Sequence, residues 1–314
     1  MKQQIRVFLR MGLLLICGIC SAKEKFKHVE YYVWNRLAEK AIDKKAIKNV
    51  SILYYFKLVP DKEGHLKPSK EYVAQLAKLK SAKGIKTELW LGLGTLDNIA
   101  KDPEKQDVFI KDLHSLCRTY LFQGIDVDWE GEHIDNDDYT RILKRLSKEF
   151  RPSRKIAISV GTYGHYIVKA RMTKEYADYV NIQCYYSTTN SWSVKQMGDI
   201  LQSFHSKSSV PKSRILLGLP LYGALDARKH GSEGGTAYRT MIEQGADSRK
   251  NTWKEPSSGK VNHYSGVPLI KEKTRYARDN GYAGVFTWEI SLDVPYESKD
   301  SILKAIDEVI QKGR

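Results

Sequence analysis

Short apolar segments alternate with longer amphipathic segments along most of the chain, and this alternation limits the possible folds more than any other feature. The apolar segments are rich in β-branched and aromatic residues, which favour strands. Eight of them are candidate strands: "HVEYYVW" (28–34), "VSILYYFKLV" (50–59), "KTELWLGLG" (86–94), "GIDVDWE" (124–130), "KIAISVG" (155–161), "YVNIQCYY" (179–186), "RILLGLPLYG" (214–223) and "YAGVFTWE" (282–289). Helical periodicity lies between most of these segments, as in residues 69–84, 105–123, 137–150 and 267–281. Strands that alternate with helices are expected to pair in parallel, in a sheet that is covered on both faces.

Eight strand–helix units predict an α/β fold, a single-domain (β/α)8 TIM barrel. A doubly wound open sheet is the alternative, but it usually carries a glycine-rich phosphate-binding turn after its first strand. The segment "YYVWNRLAEK" (31–40) contains no such turn, and "LGLGT" (91–95) completes no nucleotide-binding pattern. About sixty residues separate Gly223 from Gly284, enough for a loop and a helix. We therefore expect little or no insertion domain.

The N-terminal segment has the layout of a secretory signal peptide. Basic residues precede an apolar run of roughly a dozen residues, which ends in "CSA" (20–22) and is too short to span a membrane. The simplest cleavage site follows Ala22. It divides the chain into a signal peptide, residues 1–22, and a barrel, residues 23–314, and it predicts an exported protein.

The four cysteines suggest an alternative for the leader and little else. Cys17 or Cys20 could instead become the lipid-anchored first residue of a lipoprotein. The remaining pair, Cys117 and Cys184, is neither a disulfide framework nor a zinc motif. No other segment approaches ~18 continuous apolar residues, so we expect no membrane span.

The chain is strongly basic, with 52 Lys and Arg against 37 Asp and Glu and a formal net charge of +15. Such a charge can indicate a nucleic-acid partner. The lysines are nevertheless spread along the chain, without a long basic tract or a nucleic-acid-binding motif. We interpret the charge as a solvated basic surface, and expect a monomer that binds no nucleic acid.

Three acidic residues occupy alternate positions of the fourth candidate strand. Asp126, Asp128 and Glu130 share one face, because successive side chains of a strand point in opposite directions. Active sites of TIM barrels lie at the carboxyl ends of the strands, so Glu130 is expected at the mouth and Asp126 deepest. Burial and like charge raise carboxyl pKa values, so at least one proton should remain in the set at neutral pH. A protonated carboxyl at a cleft mouth predicts general acid catalysis; metal binding and a purely structural role are the alternatives.

Several segments are similar to one known family. The segment "QGIDVDWE" (123–130) resembles the D-G-x-D-x-D-x-E signature of family 18 glycoside hydrolases, which are chitinases and endo-β-N-acetylglucosaminidases. Further segments resemble family motifs in the same order: "LGLGT" (91–95), "DYVNIQCYY" (178–186), "ILLGLPLYG" (215–223) and "GVFTWEISLD" (284–293). Together the motifs cover about residues 28–293.

The resemblance implies a secreted retaining hydrolase that cleaves β-1,4 bonds in N-acetylglucosamine polymers such as chitin. In this family the 2-acetamido group of the substrate replaces the protein nucleophile. Carried over by motif, Glu130 is the acid and later the base, and Asp128 orients and stabilises the acetamido group. Asp126 shares a proton with Asp128, and the hydroxyl of Tyr185 holds the acetamido oxygen. No cofactor and no metal are implied.

The same resemblance suggests substrate-binding residues. Gln183 occupies a polar family position two residues before the catalytic tyrosine, and Trp288 corresponds to the apolar platform below the reacting sugar. Tyr222 is a further candidate contact. Trp34, at the end of the first strand, and Trp192, after the sixth, are expected to be additional sugar platforms.

Two residues depart from the family pattern, and two other functions remain open. Gln123 replaces the first Asp of the signature, so we expect one carboxylate fewer in the catalytic set. Tyr186 stands where many bacterial members have Asp. An endo-β-N-acetylglucosaminidase acting on N-glycan cores would use the same catalytic residues. A non-hydrolytic, lectin-like barrel is the alternative of another class, although such proteins typically lose the acid that Glu130 supplies here.

Overall fold

The computed structural model describes residues 25–36, 42–84, 86–131, 133–162, 164–230 and 235–313. The predicted signal peptide, with its cleavage site and both leader cysteines, lies outside these ranges. Within them, every helix is too short or too polar to cross a bilayer.

Eight parallel strands close into a barrel, which confirms the predicted (β/α)8 fold. The strands are β1 (Lys27–Val33), β2 (Ile52–Leu58), β3 (Glu88–Leu93), β4 (Gly124–Val127), β5 (Lys155–Val160), β6 (Tyr179–Ile182), β7 (Ile215–Pro220) and β8 (Gly284–Trp288). Each strand pairs with the next along the chain, and β8 pairs with β1. The ladders of β4 and β6 stop before the ends that the sequence predicts. The residues that follow are therefore free to project over the top of the barrel.

Helices surround the barrel and connect its strands. They are α1 (Lys44–Lys48), α2 (Lys70–Ala82), α3 (Pro103–Thr119), α4 (Asn136–Phe150), α5 (Gly164–Thr173), α6 (Val194–Ser208), α7 (Ala227–His230), α8 (Tyr238–Glu243), α9 (Val267–Asp279) and α10 (Ile302–Lys312). Many begin at a Ser or Asp whose side chain accepts a backbone N–H bond, for example Ser69 before α2 and Asp135 before α4. Such caps satisfy N–H groups that have no partner inside the helix.

The core has two layers. Aliphatic residues fill the space between strands and helices, whereas the barrel interior is mainly aromatic and includes Tyr31, Tyr54, Trp90 and Phe286. Gly124 makes room for this packing, because a Cβ atom built there would lie 2.2 Å from the ring of Trp90. The glycine of the acidic motif is therefore required by volume at the bottom of the barrel.

The segment between β7 and β8 is small but contains more structure than the predicted loop and helix. It adds α7, α8 and two antiparallel strand pairs, Tyr222–Gly223 with Thr236–Ala237 and Thr252–Lys254 with Val261–His263. Strands of two or three residues are too short to show the alternation from which strands are predicted. Among the residues that the structure describes between β7 and β8, these additions extend one wall of the barrel and form no second layered domain.

The position of Gln123 corrects one expectation. Its side-chain Oε1 accepts a hydrogen bond from the backbone N–H of Leu89 at 2.7 Å, and its own N–H donates to the Leu89 carbonyl at 2.9 Å. Both contacts lie at the amino end of β4, whereas Glu130 follows the carboxyl end, roughly 20 Å away at ~3.3 Å per residue. The expectation that Gln123 removes a carboxylate from the acidic set is therefore wrong. This residue joins β3 to β4 at the bottom of the barrel.

We predict that Gln123→Ala lowers the free energy of unfolding by about 1 kcal/mol, the usual net contribution of one hydrogen bond. Urea unfolding measures this change. Gln311→Ala, at the exposed end of α10, is the matched control and should have a smaller effect. If Gln123→Ala leaves the free energy of unfolding unchanged but alters the pH dependence of activity, Gln123 acts in the functional site and the structural assignment is wrong.

Candidate active site

A cavity of about 350 Å³ opens at the carboxyl ends of the strands. Its walls come from β4 to β8 and from the loop that follows β6. The lining residues are Asp128, Glu130, Gly161, Thr162, Tyr166, Gln183, Cys184, Tyr185, Tyr186, Thr189, Trp192, Tyr222 and Trp288. Most of the residues predicted from the sequence are thus brought together around one opening.

Asp126 lies completely buried below this cavity, in a network of hydrogen-bond donors. The hydroxyl of Tyr31 donates to one carboxylate oxygen at 2.7 Å, and the amide of Asn181 donates to the other at 2.9 Å. The hydroxyl of Ser159 adds a longer contact of 3.4 Å. Burial nevertheless dominates and raises the pKa of Asp126 to about 7, although these donors favour the ionised form. This carboxyl therefore titrates near neutral pH.

Asp128 and Glu130 form a hydrogen-bonded pair above Asp126. Burial raises the pKa of Asp128 well above its ordinary value, and the charges of Glu130 and Asp126 raise it further. Glu130 reaches solvent at the mouth, and the desolvation that it does experience also raises its pKa. The hydrogen bond with Asp128 opposes this rise. These directions agree with the expectation that the acidic set retains a proton.

Gln183 and two lysines stabilise the negative charge of Glu130. The side-chain amide of Gln183 donates to Glu130 and lies 3.4 Å from an oxygen of Asp128. The positive charges of Lys57 and Lys169 also favour the ionised form of Glu130. Desolvation thus raises the pKa of Glu130, whereas the amide of Gln183 and the charges of the two lysines lower it.

Lys169 is a site residue that sequence reasoning missed. Its ammonium group donates to the carbonyl of Gly131 at 2.8 Å and lies 5.5 Å from the ring centres of both Tyr139 and Tyr166. Only 2% of this lysine is exposed. A lysine in an amphipathic helix is ordinarily interpreted as a surface residue, so no sequence signal placed it behind Glu130. Its contact fixes the backbone immediately after the catalytic candidate.

Aromatic rings form the floor and one wall of the cavity. Trp288 packs against Tyr31 and Phe56, with ring centres 5.2 and 5.3 Å away. Tyr185 and Tyr222 meet edge to face, with ring centres 6.1 Å apart. Burial keeps the pKa of the Tyr185 hydroxyl well above its ordinary value, so this group stays a hydrogen-bond donor. Trp288, Tyr185 and Tyr222 line the cavity and are each only partly buried.

Trp34 is not brought to the cavity. It begins a short 3₁₀ helix (Trp34–Arg36) after β1 and packs edge to face against Tyr72 of α2, with ring centres 5.7 Å apart. The chain turns outward at this point because the indole joins the layer between strands and helices. The expectation that Trp34 is a sugar platform is therefore not met, whereas Trp192 does line the cavity.

In the part of the chain that the structure describes, no cluster of three or more His, Cys, Asp or Glu side chains is arranged to hold a metal ion. The two cysteines within these ranges, Cys117 and Cys184, are free thiols.

We predict that Asp126→Asn removes a pH-dependent loss of stability. The folded-state pKa of about 7 exceeds the ordinary value of 3.8. The protonated carboxyl therefore stabilises the fold fully below about pH 4, and this contribution is lost as the pH rises through 7. The difference corresponds to about 4 kcal/mol at most. Asn cannot ionise and preserves the shape, so the variant should exceed the wild type in unfolding free energy at pH 8.

Urea unfolding between pH 4 and pH 8 measures this difference. The control is Glu243→Gln, which replaces an exposed carboxylate of α8 and should leave the pH dependence unchanged. Parallel curves for Asp126→Asn and the wild type would contradict the assignment of the titrating group.

Comparisons with known proteins agree with this geometry. The family model "Glycosyl hydrolases family 18" matches residues 27–293. The chain is 29% identical over 143 residues to "Probable chitinase 2" of Drosophila melanogaster, covering 37% of this chain and 28% of that protein. It is 23% identical over 249 residues to the class V chitinase CHIT5 of Lotus japonicus, covering 62% of each. The chain thus spans less than two thirds of the length of both relatives.

A solved structure shares the fold. It is a mutant of a class V chitinase from Nicotiana tobaccum in complex with NAG4, and it superposes with a TM-score of 0.71 at 17% identity. The alignment covers 91% of this chain and 99% of that one. The barrel, the acidic row of β4 and the match of the family model over nearly the whole barrel lead to one conclusion: the chain belongs to glycosyl hydrolase family 18.

Proposed function

We propose that this protein is an exported, retaining glycoside hydrolase that cleaves β-1,4 bonds of N-acetylglucosamine oligosaccharides, with chitin-type chains as its substrates. The observation that carries the proposal is the hydrogen-bonded pair Asp128–Glu130 at the mouth of an aromatic-walled cavity. A carboxyl with a raised pKa that reaches solvent is suited to protonate a leaving group. Flat aromatic rings suit the C–H faces of pyranose sugars.

The first step requires a proton on Glu130. Asp128, whose pKa is raised by burial and by the charge of Glu130, lies one hydrogen bond away and can supply this proton. A sugar that enters the cavity displaces water from Glu130, which raises its pKa further and moves the proton across this bond. Glu130 then protonates the glycosidic oxygen while the acetamido oxygen of the substrate attacks the anomeric carbon. The C–O bond to the leaving sugar breaks, and an oxazolinium ion forms.

The residues below Glu130 stabilise this ion. Asp128, now ionised, faces the positively charged acetamido nitrogen, and Asp126 can accept or return a proton because its pKa lies near 7. The neutral hydroxyl of Tyr185 donates to the acetamido group. Glu130, ionised after the first step, takes a proton from the water that opens the ring, and the anomeric configuration is retained.

Two alternatives differ in what they require. A lectin-like barrel needs no general acid, whereas Glu130 is present with Asp128 and Gln183 in hydrogen-bonding contact. An endo-β-N-acetylglucosaminidase would use the same residues. The relatives described above are named chitinases, which favours chitin-type chains as the first substrates to test.

We also propose export of the mature chain, residues 23–314, as a monomer. The leader pattern of residues 1–22 supports it, and lipid anchoring through Cys17 or Cys20 remains the alternative maturation. Mass spectrometry of the exported protein distinguishes the two, because a lipoprotein would begin at a modified cysteine.

Replacement of the acid is the decisive test of catalysis. Glu130→Gln should lower kcat on tetra-N-acetylchitotetraose at least about a hundredfold, because general acid catalysis typically contributes 10²–10⁴-fold. Calorimetry should give a Kd within about threefold of that for the wild type under non-hydrolysing conditions, since the amide keeps the shape of the side chain. Glu243→Gln is the control for an unrelated glutamate. Turnover by Glu130→Gln close to that of the wild type would overturn the assignment.

The acetamido group itself can be tested with matched substrates. The acetylated tetramer should be cleaved and should release the β-anomer first, as followed by NMR. The fully deacetylated tetramer has the same linkage but lacks the internal nucleophile, so it should remain intact. Equal cleavage of both would exclude substrate assistance while leaving the hydrolase intact. A high-mannose glycopeptide in the same assay would reveal endo-β-N-acetylglucosaminidase activity.

A further inference from the structure

Tyr186 is an exposed aromatic residue at the edge of the cavity. It is 46% exposed, and it lines the cavity together with Tyr185, Trp192 and Tyr222. Of the large apolar side chains that are exposed in the described ranges, Tyr186 is the one that faces this opening. The motif resemblance places Tyr186 where many bacterial members of the family have Asp.

The backbone at Tyr186 explains how two consecutive tyrosines reach the same cavity. In an extended chain, neighbouring side chains point in opposite directions, and only one of the pair would face inward. Tyr186 instead has a φ angle of +104°, and Ser187 follows with +55°. Bulky residues rarely adopt positive φ, and such residues concentrate at binding and catalytic sites. The turn brings the second ring to the side of the first.

Asn190 holds this turn in place. It is completely buried, and its side-chain oxygen accepts the backbone N–H of Tyr186 at 2.7 Å. Its side-chain amide donates to the carbonyl of Tyr222 at 3.0 Å. One buried side chain therefore fixes the backbones of two tyrosines that line the cavity.

Asn190 is itself anchored to the segment between β7 and β8. Its carbonyl accepts hydrogen bonds from the hydroxyl of Ser265 at 2.5 Å and from the ammonium group of Lys273 at 3.4 Å. Lys273 is 1% exposed and also donates to Ser265 at 3.0 Å. These contacts connect the turn to α9 and make it part of a rigid wall.

We propose that Tyr186 is a sugar platform, which stacks on the N-acetylglucosamine ring adjacent to the one at Glu130, and that Asn190 is its positioning residue. The proposal rests on the proposed function, because it assumes a chain of these sugars in the cavity. Asn190 does not touch the sugar; it acts by fixing the direction of the Tyr186 ring.

Four variants of Tyr186 test the platform, each measured by calorimetry with tetra-N-acetylchitotetraose in the Glu130→Gln background. Tyr186→Phe keeps the ring and should bind within about threefold of the parent. Tyr186→Leu, Tyr186→Gly and Tyr186→Asp remove the ring and should weaken binding roughly tenfold, as aromatic contact residues commonly do. Tyr186→Gly relieves the unfavourable φ, so its Tm should equal or exceed that of the parent. Tyr120→Leu, at the C-terminal end of α3 and outside the cavity lining, is the control.

Asn190→Ala tests the positioning role. This variant is made in the hydrolytically active protein. The KM of Asn190→Ala should rise about as much as that of Tyr186→Gly, whereas kcat should change less. General destabilisation would not separate KM from kcat in this way. The double variant Asn190→Ala with Tyr186→Gly should lose less binding free energy than the two single losses added together, and any loss beyond that of Tyr186→Gly reports on the contact of Asn190 with Tyr222. Additive losses would assign Asn190 a general structural role. If Asn190→Ala does not fold, the Tyr186 series decides the proposal.

The outcomes separate this proposal from the function on which it rests. If the wild type cleaves the tetramer and Tyr186→Gly keeps the parental Kd and KM, the platform is wrong and the hydrolase stands. If the tetramer binds without being cleaved, the Tyr186 series still reports on stacking while the catalytic assignment fails. A wild-type protein that binds no N-acetylglucosamine oligomer would overturn both.

Discussion

The rest of this structure depends on one row of carboxylates along the inward face of β4. Asp126 lies on the inward face of β4, and Asp128 and Glu130 follow in the segment after the strand ends at Val127, where both line the cavity. Mutual repulsion would make such a row unstable if all three were ionised. Three arrangements reduce this repulsion. Hydrogen-bond donors surround Asp126, Asp128 and Glu130 share a hydrogen bond, and the amide of Gln183 and the charges of Lys57 and Lys169 stabilise Glu130. Solvent exposure therefore increases along the acidic residues, from the fully buried Asp126 to Glu130 at the mouth.

The sequence predicted the barrel and the acidic row because both follow from local periodicity. Continuous apolar runs mark strands covered on both faces, and a period of two fixes which side chains share a face. What lies opposite a side chain is set by contacts distant in the chain. The donors to Asp126 come from β1, β5 and β6, so no local pattern identifies Tyr31, Ser159 or Asn181. The order of the motif already places Gln123 below Asp126, at the amino end of β4, but its partner Leu89 lies on the neighbouring strand and no local pattern identifies it.

Segments that leave the strands were also harder to predict. Trp34 and Tyr186 both follow a strand end, yet one ring turns outward against α2 and the other turns into the cavity. The direction depends on tertiary partners, Tyr72 for the first and Asn190 for the second. Such partners lie dozens of residues away or act through a single buried hydrogen bond. The residue type shows that both rings could stack on a sugar, but tertiary packing determines whether each ring reaches the cavity.

The contact between Gly124 and Trp90 has a consequence for how such a barrel can change. The indole occupies the volume that a side chain at 124 would need, with a hypothetical Cβ only 2.2 Å from the ring. A larger residue at 124 is tolerated only if the residue at 90 becomes smaller. These two positions are thus expected to vary as a pair among related chains. Any redesign of the lower barrel would have to exchange volume between neighbouring strands, and the acidic row directly above would shift with it.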